Sequence, residues 1–178
     1  IAAQEVGINI TIVPIFYNKG GFNKKYVNEQ KRFISQNTDE YLSLFEKTVE
    51  TALKYGSKTG IGAHSIRAVD EKMLGEINKY NGNKYPFHLH IAEQLKEVEE
   101  SIKYLGQRPV EWLYNNFEIG ENHHLVHATH LTEKETNLVT SNKSNVILCP
   151  ITEGNLADGV FNYDLFQKKE GNWCIGSD

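Results

Sequence analysis

Pro86-Phe87-His88-Leu89-His90-Ile91-Ala92-Glu93-Gln94 changes from strand-like alternation to the start of a helix within three residues of a histidine pair. Side-chain direction alternates along a strand with a period of two, so His88 and His90 point to the same side. Glu93 follows where strand gives way to helix. An imidazole and a carboxylate at the C-terminal end of a strand are what metal-assisted hydrolysis needs: a neutral nitrogen ligand beside a group that can move protons. Two structural histidines on a buried strand would give the same short pattern, so the rest of the chain has to decide.

Working outward, Leu95, Val98, Ile102 and Leu105 line one face of the helix that follows, with Lys96, Glu97, Glu99 and Glu100 as its solvated face and Gly106 as its stop. Upstream, Thr59 to His64 reads as a strand running into Ser65-Ile66-Arg67-Ala68-Val69, and Asp70 caps a helix that ends at Asn81-Gly82. Asn37 and Glu40 start another helix, with Tyr41, Phe45, Val49 and Leu53 at helical spacing. Ile8 to Phe16 is a β-branched strand with Pro14 near its end, and residues 17–36 read as a long surface excursion. Downstream, Pro109 opens a short helix, and His124 to Thr129 is a strand. Thr132 and Glu135 form a capping box, Asn145 to Cys149 is a strand ended by Pro150, and Ile151 to Gly159 is a polar loop. Phe161 to Lys169 reads as helix and Trp173 to Gly176 as a sixth strand.

Strand and helix alternate throughout, which argues for a parallel sheet with crossover helices. Arg67, His90, Glu93, His127, Glu153 and Asp178 all fall where strands end. In a barrel of parallel strands those ends form one face, the face on which active sites are built.

Composition narrows the chemistry. At 178 residues the chain has room for one ordinary domain, and 39% hydrophobic with 24% charged residues fits a soluble globular protein. A net charge of -4 offers no field for a polyphosphate, so nucleic acid is not expected as a partner. The apolar runs are strand-sized and residues 1–16 lack the order of a signal peptide, so neither a membrane nor secretion is expected. Cys149 and Cys174 lie in apolar runs and are expected to be buried free thiols in a reducing cytoplasm.

His88-Leu89-His90-Ile91-Ala92-Glu93-Gln94, Val126-His127-Ala128-Thr129-His130 and Gly176-Ser177-Asp178 resemble the deaminase branch of the amidohydrolase superfamily. His64 to Val69, Arg108-Pro109-Val110-Glu111-Trp112-Leu113 and Thr152 to Gly159 are similar to the formimidoylglutamate deiminases within it. The resemblance implies a (β/α)8 barrel of which this chain, residues 1–178, carries about six strands, the third to the eighth. The parts before and after them, including a first-strand HxH, are expected to lie outside it. It also implies one divalent metal, most often Zn2+, with His90 and Asp178 as ligands. Glu93 and Asp178 would move protons, His127 would steady the attacking water, and His64 and Arg67 would bind a small anionic substrate. The implied reaction is hydrolysis of N-formimino-L-glutamate to N-formyl-L-glutamate and ammonia. His123, His124 and His130 are read as structural or solvent-facing, and Glu153 and Asn155 as caps of the loop after the seventh barrel strand. His88 is either a support for His90 or a core histidine.

Two rivals remain open. A related deaminase would act on a nucleobase or an adenosine derivative, although the Arg67 motif suits an anion better than a neutral ring. Alternatively the chain is a silent module whose two sheet edges pair with another chain or another copy of itself.

Overall fold

The computed structural model describes residues 2–178. Short helix α1 (Ala2–Glu5) leads into β1 (Thr11–Ile12) and β2 (Ile15–Phe16). A 3-10 helix (Asn28–Phe33) interrupts the excursion before α2 (Thr38–Lys54), β3 (Lys58–Thr59) and β4 (Ile61–Ser65). Then follow α3 (Glu71–Asn81), β5 (Phe87–Ile91), α4 (Leu95–Leu105), α5 (Pro109–Asn116), β6 (His123–His127) and α6 (Glu133–Ser141). The chain ends with β7 (Asn145–Leu148), α7 (Pro150–Leu156), α8 (Tyr163–Lys168) and β8 (Asn172–Ile175).

Six strands form one parallel sheet in the order β2-β4-β5-β6-β7-β8, with β1 and β3 as a two-stranded extension at its first edge. The extension keeps the register of β2 on β4, so β1 and β2 act as one strand broken at Val13-Pro14. Proline has no N–H to give to the ladder, and the Tyr41 hydroxyl fills the gap. It donates to the Pro14 carbonyl at 3.0 Å and receives the Gly62 N–H at 3.0 Å. Gly62 lets the strands approach closely: a Cβ there would meet the tip of the Ile15 side chain at 2.6 Å and crowd the His88 carbonyl at 3.1 Å.

Along β5 and β6 every other side chain is fully buried against the helices: Phe87, Leu89 and Ile91, then His123 and Leu125. The intervening His88, His90, His124 and Val126 face the concave side. The main core lies between sheet and helices, where Tyr41, Phe45, Leu74, Ile77, Val98, Leu113 and Val139 are buried. Transfer of such side chains from water contributes roughly 1.5–3 kcal/mol each.

Several expectations fail, each for a local reason. The polar run 151–159 is not a loop: Pro150 sits at the first position of α7, where a missing N–H costs nothing, and only Ala157 in the left-handed region ends the helix. On α4 the apolar face is narrower than its spacing suggests, with Leu95 and Ile102 exposed, while Glu97 from the charged face is buried. Cys149 is buried as expected, but Cys174 is exposed on the edge strand β8. The strand expected at His124 to Thr129 ends two residues earlier, because His127 and Ala128 both turn to positive φ. Among the described residues no helix is long and apolar enough to cross a membrane.

Candidate functional site

Residues from five strand ends meet at the C-terminal rim of the sheet. His90, near the end of β5, has its Nδ1 2.7 Å from the His64 carbonyl of the neighbouring β4. A carbonyl only accepts, so this bond places the proton on Nδ1 and turns Nε2 toward Asp178, whose Oδ1 is 3.5 Å away.

His127 is the anomaly of the site. Strand alternation puts it on the helix side with His123 and Leu125, yet its φ of +69° breaks the pleat and it joins His90 instead. Ala128 follows at +51°, and its N–H bonds to Ile91 at 3.0 Å. Two consecutive non-glycine residues in the left-handed region carry about 1–2 kcal/mol of strain each, a kind of strain that clusters at functional sites. The imidazole Nδ1 lies 3.2 Å from Glu153 Oε1. Nε2 is 3.7 Å from Glu93 Oε1 and 3.7 Å from Asp178 Oδ2, and it is buried without a hydrogen bond.

Donor atoms of His90, His127 and Asp178 lie within 4.8 Å of one another, and His127, Cys149 and Glu153 form a second such group. His90, whose Nδ1 is held by a carbonyl and whose Nε2 is turned to Asp178, makes with that aspartate a nitrogen–oxygen pair that fits a borderline divalent cation. The orphaned Nε2 of His127 faces the same space without a partner, where it can receive a hydrogen bond from, or give one to, a group held beside such an ion.

Glu93 also contacts Arg67, with Nη2 to Oε2 at 3.1 Å. Arg67 Nε is buried and unpaired. The expected carboxylate grip therefore has one nitrogen engaged with Glu93 and another without a partner. Burial, aided by His90 and Arg67 and opposed by Asp178, lowers the pKa of His64 to about 4, so its ring is neutral at pH 7. That ring is tilted against Tyr17 at 4.8 Å and against His90 at 4.9 Å. Burial, followed by the carboxylates of Asp178 and Glu153, pushes the Cys149 thiol up to about 11. A cleft of about 210 Å3 on the concave side is lined by His88, His90, Val126, Cys149 and Asp178 among others. A larger groove of about 660 Å3 between α2 and α3 contains none of these groups and is not the site.

Thus the structure brings together Glu93, His127, Asp178, His90, Arg67 and the ring of His64. His88 stays apart, stacked on His124 one layer deeper at 4.5 Å. His123 and His130 make structural bonds, to Asn78 Oδ1 at 3.0 Å and to the Asp158 carbonyl at 2.6 Å. Glu153 does cap, accepting the Cys149 N–H at 2.8 Å, and the same oxygen holds His127; Asn155 is simply exposed. Sequence reasoning missed this double use, together with Glu97 and Tyr17. A glutamate five residues after the end of β7, and another six after the end of β5, were the available signals.

No family model matches the chain. Over 178 residues it is 35% identical to the formimidoylglutamate deiminase of Pseudomonas aeruginosa, covering 99% of this chain and 39% of that protein. It is 29% identical over 120 residues to a 5-methylthioadenosine/S-adenosylhomocysteine deaminase of Saccharophagus degradans, covering 67% of this chain and 27% of that one. Among solved structures, an amidohydrolase from Brucella melitensis matches with a TM-score of 0.92 and 38% identity, over 99% of this chain and 40% of the other. A zinc-bound adenosine deaminase from Xanthomonas campestris shares the fold, with a TM-score of 0.83 at 23% identity over 99% of this chain and 38% of that one. The chain spans about two fifths of the length of the first of these relatives, 39% and 40%. By fold and by sequence, the chain carries six strands of an amidohydrolase-type (β/α)8 barrel and is similar along nearly its whole length to a formimidoylglutamate deiminase.

Proposed function

We propose that this chain supplies the proton-transfer groups and part of the metal site of an enzyme that hydrolyses N-formimino-L-glutamate to N-formyl-L-glutamate and ammonia. The observation that carries the reading is the convergence of His90, His127 and Asp178 beside Glu93 and Arg67 at one rim. The similarity to a formimidoylglutamate deiminase supports the choice of substrate.

His90 and Asp178 would hold a divalent ion, which we take to be zinc, together with ligands contributed from outside this chain. What such an ion supplies is Lewis acidity, so that water beside it ionises near neutral pH. Asp178 accepts the proton of the water that attacks the formimino carbon. Glu93, protonated at the start, gives its proton to the imino nitrogen, takes up the proton of the new hydroxyl as the carbonyl forms and delivers it to the leaving nitrogen as the carbon–nitrogen bond breaks; the proton held by Asp178 then returns to Glu93, so that one water is consumed and one ammonia leaves. His127 Nε2, equidistant from Glu93 and Asp178, steadies the charge that develops between them. The Arg67 guanidinium, its side chain 28% exposed and only Nη2 engaged by Glu93, supplies donors for a substrate carboxylate, and His64, neutral at pH 7, lies beside it.

One observation favours a purine deaminase instead: Tyr17, His64 and His90 make a run of rings on which a base could stack. Ammonia release by the full-length protein carrying this chain, measured on N-formimino-L-glutamate, guanine and S-adenosylhomocysteine, separates the two. Turnover of N-formimino-L-glutamate is expected, and ammonia from a purine alone would reject the proposal. Two free thiols suit a cytoplasmic setting, which cell fractionation would check. The exposed edges, with Ile12 and Ile15 on one side and Trp173 and Ile175 on the other, suit strand pairing in a homo-oligomer. A monomer by light scattering would argue against that assembly.

A further inference from the structure

The first turn of α4 buries a charge on the face that its sequence presents as solvated. Glu97 is 3% exposed, and no lysine or arginine pairs with it among the described residues. Removing a carboxylate from water costs several kcal/mol unless its oxygens are well bonded, and burial raises the pKa of Glu97 with the nearby Arg67 guanidinium opposing the rise. Here they are. Oε1 receives the Ala92 N–H and Oε2 the Glu93 N–H, each at 3.1 Å.

A capping glutamate at the third helical position ordinarily reaches the N-cap residue. Glu97 reaches past the N-cap, Gln94, to the two residues before it. Those residues form the bend by which the chain leaves β5, and Ala92 holds a left-handed φ of +50° there. Glu97 thus clamps both amides of a strained turn whose second residue is Glu93. Glu135 on α6 provides the contrast: also buried, it spends its bonds on Thr132 and Arg108, away from the site.

We propose that Glu97 is a positioning residue that fixes the backbone of Glu93, and through it the approach of the Glu93 carboxyl to His127. The proposal rests on the role assigned to Glu93 above. Glu97→Gln keeps the volume but replaces one accepting oxygen with an N–H2 group facing an N–H. In the full-length protein its kcat is expected to fall about 100-fold, the scale of a misplacement of about 1 Å, with KM within twofold and metal content unchanged. Glu97→Asp, too short to reach both amides, should lose kcat as well, whereas Glu135→Gln should keep it. A crystal structure of Glu97→Gln should show the Glu93 to His127 separation displaced from 3.7 Å. Wild-type kcat in Glu97→Gln, an unmoved Glu93, or failure of both Glu97 variants to fold would overturn the proposal. Should the wild type turn over only a purine, kcat is read on that purine, so that a wrong substrate does not pass for a wrong Glu97. With no turnover at all, the crystallographic separation still decides.

Discussion

Mild acid is expected to destabilise the fold through His123, before most carboxylates titrate. The ring is 1% exposed on the helix side of β6, and its Nε2 donates to Asn78 Oδ1 at 3.0 Å. Burial lowers its pKa from 6.5 to about 4. Unfolding returns the ring to water and to its ordinary value. Between pH 6.5 and 4 the unfolded chain therefore binds a proton that the folded chain refuses, and stability falls as pH falls through that window. At 1.36 kcal/mol per pKa unit, the full span is about 3 kcal/mol, of which about 2 kcal/mol is lost by pH 5. His64 and His88, also lowered to about 4 by burial, titrate in the same window, so a comparison between variants is needed. Glutamine at 123 retains an N–H for Asn78 and does not titrate. Urea unfolding at pH 7 and pH 5 should show wild type losing about 2 kcal/mol more than His123→Gln, a difference set by the single-site linkage. Equal losses in the two proteins would refute the reasoning.

Four further outcomes are expected. Glu153→Gln removes the charge that holds His127 Nδ1, and kcat of the full-length protein should fall about 10–100-fold in steady-state kinetics while its metal content, read by atomic absorption, stays unchanged. Arg108→Met strands the fully buried Glu135 carboxylate and should cost about 3–5 kcal/mol in thermal unfolding. Arg67→Lys removes the planar fork that holds Glu93 and that we propose also binds the substrate, and steady-state kinetics on N-formimino-L-glutamate should show kcat falling and KM rising together. Iodoacetamide at pH 8 should label exposed Cys174 well before Cys149, which is buried and whose thiol is pushed up to about 11, as read by mass spectrometry.

Much of the architecture was legible because it follows from local patterns. Apolar alternation marked β5, the Asp70 and Gly82 caps bounded α3, and the Thr132 and Glu135 box opened α6. The polar residues at strand ends located the rim, because parallel strands point the same way. What escaped were groups whose role depends on a neighbour from elsewhere in the chain. Glu97 looks like any solvated helix charge until the amides of residues 92 and 93 are folded onto it. Residues 151–156 read as loop because they lack an apolar stripe, yet Pro150 and the Glu153 cap make them helical.

The amino-acid sequence by itself determined the alternation of strands and helices, the parallel sheet, and which side chains stand at its C-terminal edge. These follow from side-chain period and capping chemistry, which act over a few residues. Only the tertiary structure decided that His127 leaves its strand's alternation to meet Asp178, that Arg67 faces Glu93, and that two glutamates lie beneath the site. Positive φ values and buried charges are unfavourable locally, so no short-range rule calls for them; they persist because distant partners satisfy them.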